Sequence, residues 1–140
     1  MKTYVLDTSA LLRLFLPDGP LPDHLEEILD QAGRGDARVC IPGLALAEAG
    51  QVLRKKELVG VLSPTDSREI LDTILALPLE MVPDQTLVSD ALDLARETQL
   101  TVYDGLFLAL ALQRRATLIT ADAKLESAWN RSASPPDDTQ

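Results

Sequence analysis

Four carboxylates stand where an acid calls for an explanation: Asp7, Glu48, Asp104 and Asp122. Asp7 ends the apolar run Tyr4-Val5-Leu6, and two hydroxyls, Thr8 and Ser9, follow it. Glu48 has Leu44 at i−4, Ala45 at i−3 and Val52 at i+4, so it interrupts what should be the buried stripe of a helix. Glutamate is almost never fully buried unless paired, so Glu48 needs a buried arginine or a cation shared with other acids. Brought together, the four acids would repel. Two carboxylates about 4 Å apart cost about 4 kcal/mol at an effective dielectric of about 20, so they would take up protons or bind a cation. Oxygen ligands without histidine or thiolate select a hard ion, Mg²⁺ or Mn²⁺, which keeps waters and binds phosphates. The chemistry is metal-assisted hydrolysis of a phosphodiester, the ion lowering the pKa of an attacking water and neutralising the leaving oxygen. Ser9 and Thr120 lie beside the acids and can hydrogen-bond a ligand or cap helices. Taken singly, Asp7, Asp104 and Asp122 also suit helix N-caps, a position where aspartate is among the best residues.

The elements that must position these acids follow from punctuation and periodicity. Tyr4 to Leu6 shows no polar face, which predicts a strand covered on both sides. A short helix over Thr8 to Leu16 is stopped by Pro17 and the Asp18-Gly19-Pro20 turn, and Asp23 with Glu26 resembles a capping box for a helix ended by Gly33 and Gly35. Arg38 to Ile41 reads as a second strand, Pro42-Gly43 leads into a helix to about Glu57, and Ser63-Pro64 starts one with Ile70, Leu71, Ile74 and Leu75 inside. Leu79 to Val82 is a third strand, followed by a helix from Pro83-Asp84 with Val88, Ala91, Leu92 and Ala95 inside. Leu100 to Tyr103 reads as an extended link before an apolar helix over Asp104 to Arg114, Thr117 to Thr120 as a fourth strand, and a last helix begins near Asp122. The alternation predicts an α/β fold with a parallel sheet between helices. A helix of about 16 Å and a returning strand bring Asp104 and Asp122 to the same end. If that strand runs parallel to the first, its end shares the edge with Asp7, and the helix of Glu48 starts there too.

Composition sets outer limits. The 140 residues suit a single domain over residues 1–131, with the polar segment SASPPDDTQ, 132–140, as a disordered tail. The hydrophobic share of 46% and a mean hydropathy near zero argue against disorder, and no apolar run reaches a membrane span. With no secretory signal at the amino terminus, a cytoplasmic location is expected. The single Cys40 excludes a disulfide framework and reads as buried and inert; the single His24 removes most zinc sites and hydrolase triads and reads as exposed. A net charge of −9 is unusual for a nucleic-acid partner, but Arg54-Lys55-Lys56 and Arg114-Arg115 could form a locally basic rim, or the acidity could be simple solubilisation. Neither a dinucleotide-binding nor a P-loop glycine signature is present.

The blocks VLDTSALL, LALAEAGQVL, YDGLFLALAL and LITADAKL, in this order, resemble the PIN-domain ribonucleases, above all the VapC-type toxins of toxin–antitoxin pairs. The resemblance runs from Met1 to about Trp129. It implies a three-layer α/β/α fold with a central parallel sheet of four or five strands, ordered 3-2-1-4-5. Asp7 and Asp104 become the principal ligands of Mg²⁺ or Mn²⁺, with Glu48 and Asp122 completing the site directly or through water. It further implies single-stranded RNA as substrate, a homodimer, and a cognate antitoxin that lays a basic side chain into the acidic pocket. Gln51 stands where the family commonly has asparagine, and is the residue expected to support Glu48; Gly105 stands where alanine is usual. The fifth strand is not visible in NRSASPPDDTQ. Rival readings are a housekeeping RNA-processing nuclease with the same site, a non-catalytic binding module on the same fold, and a receiver-type signalling domain. The last normally needs an acidic pair after the first strand, where this chain has Thr8, Ser9 and Ala10.

Overall fold

The computed structural model of the protein describes residues 1–133. Four parallel strands, β1 (Lys2–Leu6), β2 (Ala37–Pro42), β3 (Glu80–Val82) and β4 (Thr117–Ile119), form one sheet in the order β3-β2-β1-β4. The central strand β1 pairs with β2 through Tyr4 and Val39 and with β4 through Leu6 and Ile119. Successive strand residues face opposite sides, and Val5 and Leu6 are both fully buried, so helices cover both faces of the sheet. The four-stranded form of the expected sheet is the one found among the described residues.

Among the described residues seven helices connect and flank the strands: α1 (Thr8–Arg13), α2 (Leu25–Gly33), α3 (Leu44–Leu58), α4 (Pro64–Ala76), α5 (Val88–Thr98), α6 (Val102–Arg114) and α7 (Ala123–Ala133). The chain winds from β1 through β2 to β3, then crosses back to place β4 on the other side of β1. Strand order therefore reverses between β1 and β4, the place where open α/β sheets form a crevice at their carboxyl ends. α6 packs across β1, β2 and β4 with α5 against it. Its residues Gly105 to Ala111 are all buried, as an apolar helix enclosed all round requires.

Several local expectations are corrected. Leu100 to Tyr103 is not wholly an extended link: α6 starts at Val102, and Thr101 caps it by accepting from the Asp104 backbone N–H at 3.1 Å. The Asp23 capping box does not form, because α2 begins at Leu25 behind His24, whose φ of 65° turns the chain; His24 is exposed, as expected. α1 ends at Arg13, short of Leu16. On α3 the fully buried stripe is Ala45, Ala49 and Leu53, where the alanines let the helix approach α1, and Leu44 and Val52 lie half-buried against the core beside it. On α5, Ala91 and Ala95 are buried while Val88 and Leu92 are largely exposed, again because the small residues meet the neighbouring helix, and the helix itself starts only after a 3₁₀ turn at Asp84–Thr86. On α4, Leu75 lies outside the buried face that Ile74 marks.

Cys40 is free and fully buried. The basic clusters sit in the last turns of α3 and α6, the ends away from the acids, where cations complement the helix dipole. Most of that charge is taken up locally, by Arg54 with Glu57, Lys56 with Asp18 and Arg114 with Glu80. α7 runs two residues into the segment expected to be a tail, and residues 134–140 lie outside the described residues. No helix among the described residues is long and apolar enough to cross a membrane.

Candidate active site

Asp7 follows the last residue of β1, and its backbone N–H still donates to Ile119 O of β4 at 3.1 Å. It is the N-cap of α1, Oδ1 accepting from the Ala10 N–H at 2.9 Å, so the cap reading is correct as far as it goes. A cap alone would not need the rest of its surroundings. Ser9 Oγ reaches Oδ1 at 2.8 Å and Oδ2 at 3.0 Å, and Thr120 Oγ1 donates to Oδ2 at 2.6 Å. Each hydroxyl is fixed in turn by the turn after β4: the Ala121 N–H donates to Ser9 Oγ at 3.0 Å and the Asp122 N–H to Thr120 Oγ1 at 2.9 Å. Two backbone donors are thus relayed through two hydroxyls onto one carboxylate, tying β1 to β4 at the crevice.

Asp7 is only 4% exposed. Burial pushes its carboxyl up from 3.8 to about 6, against the lowering effect of the bonds from Thr120, Ala10 and Ser9, and with a further push from the charge of Asp122. Asp122 itself is the cap of α7, Oδ1 accepting from the Lys124 and Leu125 N–H groups at 2.9 and 3.1 Å.

Glu48 lies half-buried on α3, one turn and a half from the sheet edge. Its partner is Thr8, which donates to Oε1 at 2.7 Å across 40 residues of sequence. No arginine or lysine pairs with it among the described residues, so the buried-arginine alternative is not realised. Burial raises its pKa, and the nearby charges of Asp104 and Asp84 raise it further, while the Thr8 bond opposes them. Gln51, one turn on, is exposed and makes no hydrogen bond to Glu48; the support expected of it comes from Thr8. Asp104 sits in the first turn of α6 and not at its cap. Its pKa is raised by burial and then by Asp122, with Lys124 acting against the shift.

Thus the four acids come to one sheet edge from four separate elements, and their charges reach one another. They do not close on a single point: among the described residues no three such side chains are gathered tightly enough to hold an ion between them. Mg²⁺ does not require that, since it keeps several waters and takes one or two carboxylates directly. The all-oxygen donor set and the uncompensated charge of three acids with raised pKa values both fit a hydrated hard cation.

Three residues take roles that the sequence reading does not give them. Thr8 is a buried hydroxyl beside Asp7, and its polarity within an apolar helix was the available signal. Asp84, at the end of β3, accepts from the Leu44 N–H at 3.1 Å and caps α3 from outside, because Gly43 has no side chain to do so. Gly105 is required by packing: a Cβ there would lie 2.5 Å from Ala91 O, so only glycine lets the first turn of α6, with Asp104, settle against α5.

Comparison with known proteins agrees with this architecture. The crystal structure of PAE2754 from Pyrobaculum aerophilum superposes with a TM-score of 0.70 at 24% identity, covering 91% of this chain and 79% of that one. That of VapBC2 from Rickettsia felis, bound to a DNA fragment from their promoter, superposes with a TM-score of 0.63 at 20% identity, covering 91% and 94%. At such identities the likeness speaks for the fold. No curated protein matches the sequence. The PIN domain model matches residues 4–128, which takes in all four acids and both hydroxyls, and the chain therefore belongs to the PIN domain family.

Proposed function

We propose that this protein is a Mg²⁺- or Mn²⁺-dependent endoribonuclease that hydrolyses phosphodiester bonds of single-stranded RNA. In this reading it is the toxin of a VapC-type toxin–antitoxin pair, a cytoplasmic homodimer held inactive by a cognate antitoxin. PIN domains are generally metal-dependent nucleases, and one structural neighbour is a VapBC assembly. The observation that carries the proposal is the convergence of Asp7, Glu48, Asp104 and Asp122 on the crevice between β1 and β4, with Asp7 buried and its pKa raised to about 6.

Asp7 and Asp104 would hold the ion, with Glu48 and Asp122 acting directly or through water. When bound, the ion supplies a water of lowered pKa and a positive charge beside the leaving oxygen. The chain supplies position. Ser9 and Thr120 hold Asp7 in one orientation, Thr8 holds Glu48, and Gly105 lets Asp104 come in to the edge. Lys124, close enough to Asp104 to lower its pKa, offers a cation to a substrate phosphate.

The test is cleavage of an unstructured RNA by the full chain. Activity is expected with Mg²⁺ or Mn²⁺ and lost in EDTA. Asp7→Asn and Asp104→Asn should each remove more than the roughly 10- to 100-fold that loss of an outer partner costs at a metal site, with folding intact by circular dichroism. Undiminished cleavage in EDTA by the doubly substituted protein would overturn the mechanism. For the toxin assignment, expression should arrest growth, and co-expression of the adjoining gene should relieve the arrest.

A further inference from the structure

A cleft of about 540 Å³ opens beside the acid edge, between the loop after α1, the edge of β4 that no strand covers among the described residues, and the side of α7 that carries Glu126 and Trp129. Its volume falls within the roughly 300–1,000 Å³ of small-molecule sites. We propose that this cleft seats one unpaired nucleobase next to the cleaved phosphodiester, stacked on Trp129 and flanked by Arg13. The assignment rests on the ribonuclease reading above and specifies which part of the substrate the protein reads.

The shared wall is the first argument. Thr120 lines the cleft, and its hydroxyl donates to Asp7 at 2.6 Å, so a group bound here lies one residue from the reactive acid. Trp129 is the second. It is the only tryptophan of the chain, it packs against the core while remaining half-buried, and it also lines the cleft. A fixed aromatic at the edge of a nuclease site is a stacking surface, and every base has a face to offer it.

Arg13 is the third. Its guanidinium donates to Pro20 O at 3.3 Å and makes no ion pair among the described residues. It lies over Gly19, whose lack of a Cβ leaves room for the guanidinium beside the loop. Arginine so presented can add a cation–π contact to a stacked base.

The remaining polar groups favour a base over a phosphate. Asp23 and Glu126 also line the cleft, both exposed and without an ion pair among the described residues. They would repel a phosphate but accept from the amino group of adenine, cytosine or guanine. Uracil offers one N–H donor, N3–H, where an amino group offers two, so it satisfies only one of the two carboxylates and is disfavoured. A base in a duplex is not free to enter, which restricts cleavage to single strands.

The experiment uses the full chain and a set of short single-stranded RNAs that differ only in the base on either side of the cut. The wild type should discriminate against uracil at one flanking position. Trp129→Leu keeps apolar packing and removes the ring; it should lower kcat/KM on the favoured RNA by about 10- to 100-fold and flatten the preference. Trp129→Phe should retain most of both. Binding is read separately by the fluorescence of Trp129 in the cleavage-deficient Asp7→Asn protein, where a favoured oligonucleotide should quench it saturably and Arg13→Gln should weaken that binding. Cleavage with unchanged base preference in Trp129→Leu, and no quenching, would overturn the base cleft and leave the nuclease standing. Saturable quenching without cleavage by the wild type in any divalent ion would overturn the nuclease and keep the cleft.

Discussion

The acid edge has two halves built by different means. On the β1–β4 side, both oxygens of Asp7 carry hydrogen bonds, and Ser9 and Thr120 are themselves held by backbone donors of the turn that carries Asp122. On the α3–α6 side, Glu48 is held by the hydroxyl of Thr8, and Asp104 takes its place from the close approach of Gly105 to Ala91. The first half is a lock and the second depends on packing. A cation arriving at this edge meets one carboxylate that cannot move without breaking several hydrogen bonds, and others that can adjust. That division explains how four acids share an edge without closing on a point.

The locked half should show the largest effect, and it appears in the metal-free protein. Asp7 has its pKa raised from 3.8 to about 6. Between those values the folded protein binds a proton that the unfolded chain has released. The stabilisation is therefore complete below the ordinary value and is lost as pH rises through about 6. At 1.36 kcal/mol per unit the loss amounts to about 3 kcal/mol at most. Urea melts in chelator at about pH 4 and about pH 8 should show it, and Asp7→Asn should remove most of the difference. Mg²⁺ added at the higher pH should restore stability to the wild type only, since a cation favours the ionised form. An equally steep pH dependence in Asp7→Asn would mean that the lock does not confine a charge.

The packed half is tested by Gly105→Ala. A Cβ 2.5 Å from Ala91 O cannot be relieved by a side-chain rotation, because the obstacle is backbone. The helices must separate, at a cost of about 1–3 kcal/mol in a packed interface. Since α6 carries Asp104, the shift should also reduce cleavage. A thermal melt and a rate measured well below the melting temperature distinguish the two effects; full activity in a destabilised variant would show that Asp104 does not depend on this contact.

The same division separates what the sequence displayed from what it hid. Asp7 was legible because it ends an apolar strand, and the meeting of the four acids was legible because parallel strands deliver all their carboxyl ends to one edge. Leu100 to Tyr103 reads as an extended link because its β-branched and aromatic residues favour a strand, whereas the Thr101 cap and the burial of α6 decide for a helix from Val102. On α3 and α5 the alanines that the periodicity places inside, Ala45, Ala91 and Ala95, are buried, while the larger Val88 and Leu92 beside them stay exposed, because the small residues occupy the closest helix contacts. Thr8 with Glu48, Asp84 with Leu44 and Gly105 with Ala91 join residues 14 to 40 positions apart, and no local pattern reports such a pairing.

The smallest effect belongs to Thr8, where a pair of substitutions separates the hydroxyl from its shape. Thr8→Val removes the donor to Glu48 and keeps the volume; Thr8→Ser keeps the donor and drops a methyl. Losing a hydrogen bond to a charged acceptor costs about 1.5–3 kcal/mol, toward the lower end here because Glu48 is half-exposed and water can replace part of it. The direction in pH is also fixed. Thr8 holds the pKa of Glu48 down against burial and the charges of Asp104 and Asp84, so without the hydroxyl that pKa rises further. The acid limb of the cleavage profile should then move to higher pH in Thr8→Val and stay in place in Thr8→Ser. Equal profiles for both, with equal losses of stability, would reduce Thr8 to a packing residue and make Glu48 as independent of its neighbours as any surface acid.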